Sequence, residues 1–154
     1  MRQFDAAREA FKSGNYDEAL KGVNAAIQQL PSDAVLHEFR ALVLFAQGQY
    51  DEAAGTIYAV LAAGPGWDWE TLKTLYPDTA TYTQQLRSLE QYAKEHPDAG
   101  SANFLLAYHY LVLNHREAAV KQLDQVVKKV PGDNLAAQLL SVLKRPESGG
   151  GLPS

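Results

Sequence analysis

The sequence contains no cysteine, which excludes disulfide bonds, a catalytic thiolate and cysteine-ligated zinc. It also lacks any apolar run near the ~20 residues that a membrane-spanning helix needs, and its first residues have no apolar signal-peptide core. We therefore expect no membrane insertion by this segment. Neither absence identifies a compartment, because cytosolic and exported proteins can both lack cysteine. The localisation stays unknown.

Basic residues are also few, since 14 lysines and arginines stand against 18 aspartates and glutamates. Nucleic-acid-binding proteins usually carry a basic stripe, so we expect no nucleic-acid partner. The charge is uneven: residues 13–72 hold eight acids and two bases, whereas residues 116–145 hold six bases and three acids. This pattern favours solvated helix faces. The alternative function is a structural one, a weak homo-oligomer in which opposite charges attract.

Catalytic and metal-binding signatures are missing as well. No nucleophile motif, phosphate-binding glycine loop or clustered carboxylate pair occurs. His37 and Glu38 begin the H-E-x-x-H zinc pattern, but Ala41 stands where the second histidine is needed. We therefore expect no catalytic residue, no metal and no cofactor. An enzyme or a metal-binding protein is only a remote alternative.

The sequence does contain an internal repeat. Residues 14–19, GNYDEA, recur as residues 48–53, GQYDEA, after a shift of 34 residues, and a third copy, NHREAA, occupies residues 114–119. The glycine stands where one helix ends and the chain reverses, a place that favours positive φ. The alanine keeps the second helix small where two helices cross. Each copy is followed by a proline that ends a helical stretch: Pro31, Pro65 and Pro131.

These residues resemble the tetratricopeptide repeat (TPR) family, whose 34-residue unit is a helix–turn–helix hairpin. Three repeats match well, at residues 1–33, 34–67 and 100–133. The resemblance implies an all-α fold, a right-handed solenoid of TPR-like hairpins. It also implies a non-catalytic adaptor or scaffold that binds a protein or peptide. The first helix begins almost at Met1, which fits a natural start and a piece of a longer protein equally well.

The interval from Pro65 to Pro97 departs from the repeat, because it is 32 residues long and lacks the glycine–tyrosine–alanine signature. Its apolar spacing still predicts a degenerate hairpin with a shortened first helix. Residues 133–144 predict a closing helix that covers the last repeat. We expect the helical domain to span residues 1–145 and residues 146–154 to form a flexible tail.

The resemblance also indicates where a partner binds, since the first helix of each hairpin lines a concave groove in this family. The side chains that it places there are apolar or aromatic, apart from one arginine: Phe4, Arg8, Phe11, Val35, Leu42, Phe45, Phe104, Tyr108 and Leu111. Such a groove favours an apolar or amphipathic segment of a partner protein over a charged tail. The alternative is that these side chains are buried against neighbouring helices.

Trp67 and Trp69 form a second candidate site. They follow the stiff turn at residues 64–66, where the repeat is broken. Two tryptophans beside such a turn can form a binding pocket or an interaction hot spot. The alternative is that their bulk fills the gap left by a short helix.

Overall fold

The computed structural model describes residues 2–144, with side chains from Phe4 onward. Within this range the chain forms nine α-helices and one short 3₁₀ turn, and no β-strand. In chain order the elements are α1 (Arg2–Lys12), α2 (Tyr16–Gln29), α3 (Ala34–Ala46), α4 (Tyr50–Ala63), α5 (Trp69–Leu72), the 3₁₀ turn (Lys73–Leu75), α6 (Thr79–Glu95), α7 (Gly100–Val112), α8 (Arg116–Lys129) and α9 (Asn134–Lys144). The predicted all-α fold is confirmed. The predicted tail at residues 146–154 lies outside the described residues.

Three hairpins close with the same backbone turn. Gly14 before α2 has φ 84°, Gly48 before α4 has φ 79°, and Asn114 before α8 has φ 62°. In each turn the following amide donates to a carbonyl five residues earlier, as Asn15 does to Ala10 at 2.8 Å. Glycine suits this left-handed backbone, and asparagine tolerates it better than most residues. The third hairpin therefore keeps the turn without its glycine.

Helices α1 to α4 form the first unit, in which two hairpins stack as the repeat predicts. Asp17 at the start of α2 accepts a hydrogen bond from Gln47 just after α3, at 2.8 Å. Further along α2, Asn24 accepts from Arg40 at 2.9 Å. The contacts run in opposite order along the two helices, so α3 packs antiparallel to α2. The fully buried Ala19 keeps the crossing close.

Helices α6 to α9 form the second unit, which joins the first in a different orientation. The Ser101 hydroxyl in the first turn of α7 donates to Asp51 in the first turn of α4, at 2.5 Å. Further along both helices, the rings of Tyr58 and Phe104 lie 5.3 Å apart. The contacts keep the same order along both helices, so α7 runs parallel to α4. Helix α5 has four residues, too few to form a separating layer, and α7 packs directly on α4.

The segment from α5 to α6 lies across the first unit. Tyr76, just after the 3₁₀ turn, packs edge-on against Phe11 of α1 with ring centroids 4.9 Å apart. Gln85 of α6 donates to the Tyr16 hydroxyl at the start of α2, at 2.8 Å. The shortened first helix is as predicted. The sequence did not predict that this hairpin would cover the first unit instead of extending the row of hairpins.

Helix α7 is the most enclosed helix of the described chain. Ten of its thirteen residues are buried, because α4, α6 and α8 all pack against it. Its sequence is accordingly apolar around the whole helix rather than along one stripe. Helix α9 has only one buried residue, Ala136, and it packs on α8 at the end of the described chain. This is the arrangement expected of a closing helix.

Candidate functional site

Five side chains expected to line an open groove are buried: Phe11, Leu42, Phe45, Phe104 and Tyr108, each 1–4% exposed. Two sets of contacts cover the aromatic rings among them. The first is the crossing segment, which places Tyr76 on Phe11 and Tyr82 near Phe45. The second is α7 itself, whose Phe104 packs on Tyr58. The expectation of an open groove is therefore corrected for Phe11, Leu42, Phe45 and Phe104, which are buried within the molecule, whereas the mostly buried Tyr108 also lines the pocket described below.

The remaining predicted groove residues keep some exposure. Phe4 is half-buried and meets the Phe39 ring edge-on at 5.2 Å. Arg8 lies over the Phe4 ring at 5.3 Å and pairs with Asp5 at 2.7 Å. Val35 is 45% exposed at the start of α3. Their role in partner binding stays a prediction.

Leu111 lies elsewhere, in an apolar pocket that the structure forms at the broken repeat. The pocket has a volume of about 350 Å³. It is lined by the end of α4, the following loop, the second half of α7 and one residue of α9: Leu61, Gly64, Pro65, Gly66, Trp67, Tyr108, Leu111, Val112 and Leu139. The structure thus joins part of the predicted groove with Trp67 of the second candidate site. The sequence indicated neither Leu61 nor Leu139, because no repeat position marks them.

The two tryptophans have different surroundings, although both are half-buried. The ring of Trp69 packs against that of Tyr82 at 5.0 Å, on the side of α6. Trp67 lines the apolar pocket, and its backbone N–H donates to Glu38 Oε2 at 2.8 Å. Trp69 also lines a smaller cavity of about 320 Å³ beside α6, so the two tryptophans face different cavities. A binding role for this pair stays a prediction.

Glu38 fixes the loop that forms the pocket wall. Its carboxylate is 4% exposed and accepts hydrogen bonds from the Trp67 backbone and from the Tyr108 hydroxyl. Burial raises the pKa of this carboxyl, and the two hydrogen bonds partly offset that rise. Gly66 passes so close that a Cβ there would lie 3.0 Å from Glu38 Oε2. A sequence reading could not separate this glutamate from other helical acids, because its partners lie 29 and 70 residues away.

His109 is the buried histidine of the described chain. It lies in α7, where its Nδ1 is hydrogen-bonded to the Tyr82 hydroxyl at 2.8 Å, while Nε2 has no hydrogen-bond partner among the described residues. Burial lowers the pKa of His109 to about 3, so the imidazole stays neutral at physiological pH. No group of three histidines, aspartates or glutamates in residues 2–144 is placed to hold a metal ion.

Comparison with known proteins gives the family. Residues 4–66 match one sequence model described as tetratricopeptide repeat, and residues 81–143 match a second model with the same description. The chain therefore belongs to the tetratricopeptide repeat family, as its residues predicted. The two matches correspond closely to the first and second units of the fold. Residues 67–80, which include the short helix α5 and the 3₁₀ turn, lie between the two matches.

Among solved structures, the chain is similar to one described as "MamA RS-1 ArsTM double mutant". The two share 18% sequence identity with a TM-score of 0.39, over 90% of this chain and 79% of that one. No curated protein matches the chain. In the described part of the chain, no helix combines the length and apolar character needed to span a membrane.

Proposed function

We propose that this TPR module binds an apolar or amphipathic segment of a partner protein, and that large side chains of that segment enter the apolar pocket. Members of the family generally act in protein–protein interactions and typically carry no catalysis. The observation that carries the proposal is the pocket itself, an open cavity that joins Trp67 and Leu111. Of the other predicted groove residues, Phe11, Leu42, Phe45 and Phe104 are buried, whereas Phe4, Arg8 and Val35 keep some exposure.

The lining of the pocket indicates what enters it. Its volume of about 350 Å³ falls within the ~300–1,000 Å³ usual for ligand pockets. Leucine, valine, proline and tryptophan side chains form most of the wall. Moving an apolar side chain from water into this pocket is therefore favourable. Helical walls on two sides suit an amphipathic helix that inserts anchors at intervals of three or four residues.

The experiment is capture of partners from the source cell by the full chain, followed by affinity measurement with the identified partner. Leu111→Asp and Leu139→Asp place a charge in the pocket from two different helices. If the pocket holds an anchor worth about 2 kcal/mol, each substitution should weaken binding roughly thirty-fold. Circular dichroism should show both variants folded, because both positions are only partly buried.

Leu30→Asp is the matched control. Leu30 is 44% exposed at the end of α2 and does not line the pocket. This variant should bind like the unaltered chain. Equal affinity of all three variants for the partner would show that the pocket is not the binding surface. The partly exposed Phe4, Arg8 and Val35 would then be the next surface to test.

A further inference from the structure

A polar groove of about 590 Å³ lies between α6 and α8, with α7 beneath it. Asn103 and Leu106 of α7, both buried, form its floor. Lys94 of α6 stands on one wall, and Gln125 and Lys129 of α8 stand on the other. This polar groove shares no lining residue with the apolar pocket. It is therefore a separate surface, on the other side of α7.

At the floor of the polar groove, Asn103 holds the ammonium group of Lys129 in place. Asn103 is 7% exposed, and both polar atoms of its side-chain amide are hydrogen-bonded. Asn103 Nδ2 donates to Gln122 Oε1 at 2.8 Å, and Asn103 Oδ1 accepts from Lys129 Nζ at 2.7 Å. A lysine side chain normally loses conformational entropy when it is fixed in this way. Here a buried amide orients the ammonium group, although the amide carries no charge to neutralise it.

The acid in the groove does not neutralise that lysine. Glu90 accepts from Arg87 at 2.7 Å and from the Tyr110 hydroxyl at 2.5 Å. No described carboxylate forms an ion pair with Lys94 or Lys129. The lining thus carries three cations and one acid, a charge of +2 on a chain whose net charge is −4. The local charge is opposite to that of the whole molecule.

We propose that the polar groove binds an extended, acidic segment of a partner polypeptide. Carboxylates of the segment pair with the oriented ammonium group of Lys129 and with Lys94 on the facing wall. Gln125 can both donate to and accept from the backbone of an extended chain, whereas Gln91, whose Nε2 already donates to Glu95 at 2.9 Å, can accept from a backbone N–H. This site is independent of the apolar pocket, and its partner can be a different segment.

The lining favours a polypeptide over a nucleic acid. Single-stranded nucleic acids bind where aromatic rings stack on the bases along a strongly basic track. Tyr110 is the aromatic residue of the groove lining, and its hydroxyl is tied to Glu90. Two lysines that form no ion pair with a described carboxylate, together with several amides, suit a few carboxylates and a peptide backbone better than a row of phosphates.

The test uses the full chain and two capped octapeptides, one of alternating glutamate and serine and one of alternating glutamine and serine. Side-chain amide resonances of Asn103 and Gln122 in NMR spectra report binding. The glutamate peptide should shift them at millimolar concentration, and the glutamine peptide should not. Lys129→Met and Lys94→Met should each weaken this binding at least five-fold, whereas Lys121→Met should not, because Lys121 is exposed on α8 outside the groove.

Several results would overturn the proposal. These are the absence of any shift with the glutamate peptide, equal shifts with both peptides, and equal losses in the Lys121→Met variant. Tighter binding of a uridine oligonucleotide at the same resonances would assign the groove to nucleic acid instead. Loss of folding in Lys129→Met would leave the test to Lys94→Met, because the hydrogen bonds of Asn103 go to Gln122 and Lys129 and this variant removes neither.

Discussion

The first unit, α1 to α4, and the joint that follows it are held by contacts of different range; the joint is residues 64–99 and includes α6, the first helix of the second unit. In the first unit each turn follows from a residue at a fixed repeat position, such as Gly14 and Gly48 with φ near 80°. In the joint, the ring of Tyr82 packs against residues from three other parts of the chain, among them Phe45 and His109. Regular hairpins thus depend on local residues, whereas the joint depends on distant partners.

The largest effect should come from removing the centre of the joint. Tyr82 is 2% exposed and contacts Phe45, Trp69, Tyr76 and His109. Tyr82→Ala leaves a large cavity and should lower the free energy of unfolding by about 3–5 kcal/mol, as truncation of a buried aromatic residue usually does. Urea unfolding followed by circular dichroism measures it.

Tyr82→Phe separates the ring from its hydroxyl. This variant keeps the packing but leaves His109 Nδ1 without its partner, so it should cost only about 1–3 kcal/mol. Equal losses for alanine and phenylalanine would mean that the hydrogen bond, rather than the packed ring, holds the joint together.

Acid should destabilise the same region because it favours protonation of His109, which the folded state disfavours. Its pKa in the folded chain is about 3, below the ordinary value of 6.5. Between these two pH values His109 is protonated in the unfolded chain but neutral in the folded chain. The stability that His109 contributes is fully present above pH 6.5 and is lost as pH falls toward 3. Between pH 7 and pH 5 this loss should reach about 2 kcal/mol.

His109→Asn tests the effect, because asparagine can place an oxygen near the position of Nδ1 but cannot take up a proton there. The variant should be less stable at pH 7, since the smaller side chain leaves a cavity, and its stability should fall less between pH 7 and pH 5. Glu38, whose raised pKa acts in the opposite direction, is common to both proteins and cancels in the comparison. Parallel pH profiles would contradict this account.

The same difference in contact range explains what the sequence could predict. The 34-residue spacing and the turn residues predicted the hairpins, the all-α fold and the closing helix, because each depends on residues close together in the chain. The sequence did not predict the parallel packing of α7 on α4, and it left open whether Phe45 and Tyr108 are exposed or buried. These features depend on contacts between residues far apart in the chain, such as Phe45 with Tyr82 and Tyr108 with Glu38, which no repeat position encodes. For the same reason the sequence indicated only some residues of the apolar pocket. Trp67 was a candidate because two tryptophans follow a stiff turn, whereas nothing in the sequence indicated Leu139.

A smaller effect should distinguish two glycines of the joint. A Cβ at Gly66 would lie 3.0 Å from Glu38 Oε2 and 3.1 Å from Tyr108 Cε1, whereas a Cβ at Gly64 would meet nothing within 4 Å. Gly66→Ala should therefore cost about 1–3 kcal/mol through overpacking. Gly64 has extended backbone, with φ 172°, that alanine can adopt, so Gly64→Ala should stay within about 0.5 kcal/mol. Thermal unfolding of the two variants side by side measures the difference; similar losses would show that the close approach to Glu38 is unimportant.

In the regular turns, the cost of a substitution should depend on backbone conformation rather than on the space around the side chain. Gly14→Val and Gly48→Val should each cost about 1–2 kcal/mol, because a β-branched residue is strained at positive φ even though space is open there. Gly14→Asn should cost less, since Asn114 adopts φ 62° in the third hairpin. Chemical unfolding curves give the order of the variants. If valine and asparagine were equally costly, the left-handed backbone would not be the cause.

The smallest expected effect concerns the charges of the two units. Asp17 and Glu18 are exposed on α2, and Lys121 and Lys128 are exposed on α8. If these opposite charges bring two molecules together, the association should be weak, because exposed ion pairs contribute at most about 1 kcal/mol each. It should also weaken with salt, since charges farther apart than ~10 Å are screened at 0.1 M ionic strength. Sedimentation velocity at low and high salt measures this, with Lys128→Glu as the variant that should abolish any salt-sensitive dimer. A monomer at low salt and high protein concentration would remove the structural alternative and leave partner binding as the function to pursue.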